Sequence, residues 1–308
     1  MEKSKKLRAI RQTLGQESFV KGDEVVFICP KPTCISHLHK KPKLSVNLIT
    51  DRFHCWICSF GGKTLVPLFP KEAPERAEYI ESLESWNRKP PPTPEYDQPI
   101  LPDEFKTLTK SWPGYVYKST ISYLNERGIG TDEILKWKLG FCDEGDYRNR
   151  VIIPSFDDLG NMNFFVGRAI YKKMLKYKHG NFDKDIIFND YAIDWKKPII
   201  VTEGPFDAMK AGDNAIPLQG TILTQDLKLY RKIVLSGVDV FFAMDKDAFM
   251  KQLKIMDGLF SFGVTCKYVD LGKKKDVGEM THQEFEEAKS RAIEIKSSSD
   301  LLKMRILS

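Results

Sequence analysis

Four carboxylates in the C-terminal half of the chain stand where chemistry is possible. Glu203 and Gly204 follow the apolar run Ile199-Ile200-Val201-Thr202, Asp207 lies four residues further on, and Asp245-Lys246-Asp247 follows the apolar run 238–244. Two acids one residue apart beyond a strand can turn toward a common cation, and a glutamate from a neighbouring strand end supplies a third arm. Hard oxygen ligands with open positions suit Mg²⁺ or Mn²⁺ and bound phosphates. A lone Asp-x-Asp is most often surface charge; its pairing with Glu-Gly at another strand end makes the pattern specific.

The N-terminal part carries a second chemistry. Cys29 and Cys34 form one pair, Cys55 and Cys58 another, about twenty residues on. That spacing fits a structural zinc site, with thiolates on two tight turns reaching one tetrahedral ion. Cys34-Ile35-Ser36-His37 is itself a possible ligand pair, so His37 is an alternative to Cys29; four cysteines are the preferred set. Lys40, Lys41, Lys43 and Arg52 interleave with Phe53 and Trp56, offering phosphate contacts and surfaces for base stacking. Gly61-Gly62-Lys63-Thr64 has the end of a phosphate-binding loop, but Ile57 stands where that motif needs its first glycine. Cys142 and Cys266 read as core residues.

These residues need elements to position them. After Pro198 strands and helices alternate: strand 199–202, helix 205–211, strand 215–218, helix 225–235, strand 238–244, helix 251–262 and strand 264–269. Such alternation predicts a parallel sheet flanked by helices, with ligands at the carboxyl ends of its strands. Upstream, helices at 121–127 and 131–137 precede an expected hairpin, in which Asp157-Asp158-Leu159-Gly160 joins Val151–Pro154 to Asn163–Val166. The first module opens with a helix carrying Leu7, Ile10 and Leu14 on one stripe. Eight prolines crowd between Pro70 and Pro102. Apart from a short helix within 75–86, that stretch reads as a semi-rigid linker. The expected division is 1–69 cysteine module, 70–103 linker, 104–197 basic subdomain, 198–285 parallel-sheet subdomain and 286–308 helical tail.

Composition narrows the class. In 308 residues, 42% are hydrophobic, 29% are charged and six are cysteine, and the net charge is +6. No apolar run approaches the roughly 18 residues needed to span a bilayer. No apolar segment follows the basic N-terminus to make a signal peptide. Six cysteines are too few for a disulfide scaffold. A cytoplasmic protein is expected. Residues 1–69 hold 12 basic and five acidic side chains, an excess that favours a polyanionic partner.

At this point the chain resembles a known family. Ile199–Ala208, Leu218–Thr221 and Phe242–Asp247 look like a toprim domain, with its motifs in the usual order. Tyr123–Ile129, Leu139-Gly140-Phe141, Asn149–Pro154, Val166-Gly167-Arg168 and Lys176-Tyr177 resemble the basic subdomain of DnaG-type primases. Phe53–Cys58 with Gly61-Gly62 resembles that family's zinc ribbon. The likeness covers about residues 20–285, and Lys41–Asn47 and the compact size look more like bacteriophage members. It implies an α/β architecture: a β-rich zinc ribbon, then an RNA polymerase domain made of a basic α+β subdomain and a Rossmann-like toprim fold.

The activity implied is template-directed synthesis of RNA primers on single-stranded DNA from ribonucleoside triphosphates. Glu203, Asp245 and Asp247 would hold Mg²⁺ or Mn²⁺, with Asp207 and Asp276 in support. Arg150, Arg168 and Lys176, with Lys43, Phe53 and Trp56 of the ribbon, would contact nucleotide and template. A replicative helicase is the implied partner, although only about 25 residues follow the toprim region where bacterial members carry a large helical domain. The family's later acidic pair is reduced here to Asp276 and Glu279. Three rivals fit less well: a toprim nuclease, which generally lacks this zinc ribbon and basic subdomain; a type I topoisomerase, which would need a tyrosine domain after the toprim region; and a non-catalytic single-strand-binding protein, which the retained acids disfavour.

Overall fold

The computed structural model describes residues 1–83, 96–220, 222–295 and 297–307. The first part is a five-stranded antiparallel sheet, ordered β1 (Phe19–Lys21), β2 (Glu24–Phe27), β3 (Leu44–Asn47), β4 (Phe53–Cys55) and β5 (Gly61–Gly62). Helix α1 (Lys3–Leu14) precedes it, α2 (Ile35–Leu38) interrupts it and α3 (Pro74–Glu81) follows. Alternation sets which side chains face inward: in β4, Phe53 and Cys55 are buried while His54 points out.

The second part is another antiparallel sheet, built from β6 (Phe105–Thr107), β7 (Gly140–Cys142), β8 (Arg150–Phe156), β9 (Met162–Ala169) and β10 (Tyr177–Lys178) in the order 10-9-8-7-6. Helices α4 (Tyr115–Glu126) and α5 (Thr131–Lys136) lie between β6 and β7. β8 and β9 form the expected hairpin. The Asp157 carboxylate accepts the N–H groups of Leu159 and Asn161 at 3.0 and 2.7 Å, and Gly160 takes the left-handed turn position at φ 83°.

The third part is the alternating one: β11 (Ile199–Thr202), α6 (Pro205–Ala211), β12 (Ala215–Pro217), α7 (Lys228–Ser236), β13 (Val240–Phe242), α8 (Phe249–Ser261) and β14 (Cys266–Tyr268). β12, β11, β13 and β14 run parallel, in that order. After α9 (His282–Ser290), β15 (Ile293–Glu294) joins antiparallel to β14, and α10 (Ser298–Leu307) returns to α8 with Leu301 buried. The tail thus completes this sheet and its packing.

The parallel sheet is covered on both faces, as its apolar strands require. Ile199 and Val201 of β11 join a core shared with α7, α8 and the first sheet, while Ile200 joins a core shared with α6, α9 and the second sheet. The cysteine module therefore packs directly on the parallel-sheet subdomain.

Here the structure departs from the sequence expectation. Residues 70–83 are docked and are not a free spacer, while the helix expected within 75–86 runs over Pro74–Glu81. Tyr79 and Ile80 are fully buried, and the buried Arg76 guanidinium donates to the carbonyls of Val234 and Leu235 at 2.9 and 3.3 Å. Lys71 reaches the Gly237 carbonyl at 2.9 Å, and Thr64 that of Ser261 at 2.6 Å. The acceptors are carbonyls at the C-terminal ends of α7 and α8, which a helix leaves without partners of its own. The proline run 90–94 lies outside the described residues.

Candidate active site and cysteine cluster

The acids gather at the carboxyl edge of the parallel sheet. Glu203 follows β11, and Gly204 caps α6 with Pro205 in its first turn. Asp207, in the same turn, accepts the N–H of Gly204 at 3.2 Å and that of Gly278 at 3.0 Å, so both its oxygens are held. A Cβ on Gly204 would lie 3.0 Å from the Asp207 carboxylate, tighter than an ordinary contact, so glycine suits this close approach. Asp245 heads a single 3₁₀ turn, Lys246–Ala248, and Asp276 caps another, Val277–Glu279, accepting the Glu279 N–H at 3.0 Å. The Lys246 N–H donates to the Lys275 carbonyl at 3.3 Å and ties the two turns together.

Ligand oxygens of Glu203, Asp245 and Asp247 lie within 4.8 Å of one another, and so do those of Asp207, Asp245 and Asp276. Asp245 belongs to both groups. None of the five forms a salt bridge among the described residues. Burial, and then the neighbouring acids Asp207, Glu203, Asp276 and Asp247, push Asp245 up to about 7. Burial and then Asp276 push Asp207 up to about 6. Glu203 also has a buried Oε2 with no hydrogen-bond partner among the described residues. Crowded acids and an orphaned oxygen together fit a divalent cation, whose charge would relieve both.

Glu203, Asp207, Asp245 and Asp276 share a cleft of about 430 Å³ with side chains of the second subdomain. Arg127, Arg168, Lys176, Tyr177 and His179 line it from there. The Arg168 guanidinium lies 4.8 Å from the Tyr177 ring centre and 5.6 Å from that of Phe206; Arg127 lies 4.8 Å from Tyr123 and 5.4 Å from Phe206. Aromatic faces thus hold both cations without neutralising them. A neighbouring groove continues from Arg127, Arg168 and Lys176 past Tyr123, Tyr171 and Lys172.

Two residues expected to contact ligand are placed elsewhere. Arg150 is 5% exposed and donates to the carbonyls of Gly167 and Leu175 at 3.2 and 2.8 Å, so it braces the hairpin. The register explains this. Val151 pairs with Arg168, so these two share one face of the hairpin, and Arg150 lies on the other, over the bare face of Gly167. Phe53 is 4% exposed, packs edge-on against Phe60 at 5.0 Å and fills the space that Gly62 leaves open. Trp56 is 71% exposed and Lys43 is also at the surface.

Reading the sequence also overlooked Arg127, Tyr177, His179 and Gln219 as cleft residues. Arg127 and Tyr177 lay inside segments quoted for the family likeness, which was their available signal. Gln219 lay inside the Leu218–Thr221 segment quoted for the same likeness, whereas His179 had no signal, because only the fold carries it to the cleft.

The Sγ atoms of Cys29, Cys34, Cys55 and Cys58 lie within 4.8 Å of one another, with Cys29–Cys58 at 3.7 Å and Cys34–Cys55 at 3.8 Å. Zinc–sulfur bonds of about 2.3 Å give a tetrahedron with edges of about 3.8 Å, so the donor set fits one Zn²⁺. His37 turns aside, its Nδ1 3.1 Å from the Cys29 carbonyl oxygen.

No protein-family model matches the chain. The DNA primase of Campylobacter jejuni is 27% identical over 259 residues, covering 66% of this chain and 42% of its own length. That of Thermotoga maritima is 22% identical over 310 residues, covering 82% and 54%. The chain thus spans about half the length of these curated relatives. The crystal structure of the Aquifex aeolicus primase zinc-binding and RNA polymerase domains matches 99% of this chain and 90% of its own, with a TM-score of 0.53 at 19% identity. The chain is thus similar in sequence to these DNA primases and shares the fold of the zinc-binding and RNA polymerase domains of the Aquifex aeolicus primase.

Proposed function

We propose that the chain is a DNA primase, which joins ribonucleotides into short RNA primers on a single-stranded DNA template by metal-dependent nucleotidyl transfer. The observation that carries this reading is the shared cleft. Carboxylates of a parallel-sheet edge stand there with Arg127, Arg168 and Lys176 of the adjoining subdomain, on a primase fold.

Glu203, Asp245 and Asp247 would hold Mg²⁺ or Mn²⁺, which when bound acidifies the attacking 3′-hydroxyl and offsets charge on the α-phosphate and departing pyrophosphate. Arg168 and Lys176 bind triphosphate oxygens, the planar guanidinium fork matching two oxygens at once. Arg127 extends the cationic wall toward the neighbouring groove, where the template runs. Asp207, pinned by two backbone N–H groups, fixes the loops that carry the ligands, and Asp276 orients from the far side. Cys29, Cys34, Cys55 and Cys58 hold a structural zinc ion that shapes the ribbon, leaving Trp56 and Lys43 exposed for a base face and a phosphate. Among the described residues no helix is long and apolar enough to cross a membrane. The cytoplasm, with a replicative helicase as partner, is the setting that fits this activity, a host cytoplasm if the chain is bacteriophage-encoded.

The test is primer synthesis on single-stranded DNA with labelled ribonucleotides and Mg²⁺, comparing the native chain with Asp245→Ala. Short oligoribonucleotides made by the native chain and lost in the variant support the reading. Nicking of the template without such products would replace it with a nuclease.

A further inference from the structure

We infer that Gln219 is a nucleotide-binding residue of the cleft, its carboxamide N–H₂ donating to an oxygen of the bound nucleotide. The inference rests on the primase reading and adds a neutral contact that the acids and cations of the cleft do not supply. Gln219 lies just beyond β12, the strand beside β11, so the strand order places it next to Glu203 on the side away from Asp245. Its backbone N–H donates to the Glu203 carbonyl at 3.1 Å. That bond fixes its position relative to the site.

Two features set this glutamine apart. Its φ is +52°, a left-handed conformation that glycine adopts freely and that a residue with a side chain resists. Gly220 follows at φ +75°, so the chain makes this turn with glutamine where a second glycine would be less strained. The side chain also ends in an Nε2 that is shut off from solvent and has no acceptor among the described residues. A buried amide donor without a partner is unfavourable unless something else supplies the acceptor. Gln219 and Gly220 line the same cleft as Glu203, Asp207 and Asp245, so a rotation of the side chain would bring the shielded amide to the oxygens of a nucleotide seated at those acids. Both a ribose hydroxyl and a phosphate oxygen accept from an amide.

The experiment is equilibrium binding of ATP and of 2′-deoxyATP, each with Mn²⁺, to the full chain and to Gln219→Leu and Gln219→Glu. Loss of one hydrogen bond weakens ATP binding about fivefold to tenfold in the leucine variant. Its Tm stays equal to or above the native value, because the unpaired buried donor is gone. The glutamate variant, keeping the size without the donor and adding charge beside Glu203, binds at least as weakly. A native preference for ATP over 2′-deoxyATP that the leucine variant erases assigns the acceptor to the ribose 2′-hydroxyl. An equal fall for both nucleotides assigns it to the triphosphate. Unchanged affinity in the leucine variant, a loss that tracks a lowered Tm, or a native chain that binds neither nucleotide overturns the inference. Binding requires no polymerisation, so a native chain that binds ATP yet makes no primer refutes the primase reading and leaves this test standing.

Discussion

Replacing Asp245 with asparagine should stabilise the protein when no divalent cation is supplied, and by an amount that depends on pH. In the folded chain Asp245 is raised from 3.8 to about 7, first by burial and then by the surrounding acids. The folded state therefore keeps this proton to higher pH than the unfolded state does. Ionising the group in place opposes folding, and the penalty grows as pH rises from about 4 and is complete above about 7. About three pKa units at 1.36 kcal/mol each set a ceiling of about 4 kcal/mol. Asp245 is only partly buried and solvent screens part of the repulsion, so about 2 kcal/mol is the working figure. For a chain of this size that is a rise in Tm of about 3 °C. Asp245→Asn should gain this at pH 8 and less of it at pH 5, because the penalty accumulates only as pH rises above the unfolded value of about 4. The assay is thermal or urea unfolding of both proteins in buffer freed of Mg²⁺ and Mn²⁺ without a chelator, so that zinc stays in place. Adding Mg²⁺ should raise the native Tm and leave the variant nearly unmoved. A variant no more stable than the native chain at pH 8, or a gap that does not narrow at pH 5, would refute the account of the carboxylates as mutually repelling and awaiting a cation.

Other perturbations separate packing from recognition. Phe53→Ala should lower stability by about 3 kcal/mol in urea titrations, as truncation of a core aromatic does. Trp56→Ala should change stability by less than about 0.5 kcal/mol. The same change should weaken single-stranded DNA binding about tenfold in fluorescence anisotropy, the loss of one stacked base. Arg76→Ala should cost about 2–3 kcal/mol by leaving buried carbonyls unpaired, with faster amide exchange in α3. Cys55→Ser should reduce bound zinc from one ion per chain to none in elemental analysis, with loss of the ribbon's protected amides.

Much of the candidate site was legible because its signals are local. Glu203-Gly204 and Asp245-x-Asp247 follow apolar strand runs, and a parallel sheet puts such strand ends on one edge. Two cysteine pairs at knuckle spacing needed only the short antiparallel β2–β3–β4 meander to meet. The misreadings share a cause: each depended on which face a residue occupies or on what packs against it from far away. Arg150 and Arg168 look alike in the sequence, and only the β8–β9 register sends one into the hairpin and the other into the cleft. Prolines made 70–83 read as a spacer, while Arg76 finds its acceptors some 160 residues away in α7.

Sequence alone determined the chemistry on offer: four thiolates for a tetrahedral ion, acids at strand ends for a hard cation, and an alternation that makes a parallel sheet. Those properties reside in residue type and short-range periodicity, which the chain states directly. The tertiary structure alone decided which cations share the cleft with the acids, that the cysteine module packs against the helix ends of the parallel-sheet subdomain, and that Gln219 stands beside Glu203. Each of these is a contact between segments far apart in the chain, set by the packing of two sheets on a third, and no local pattern encodes such a contact.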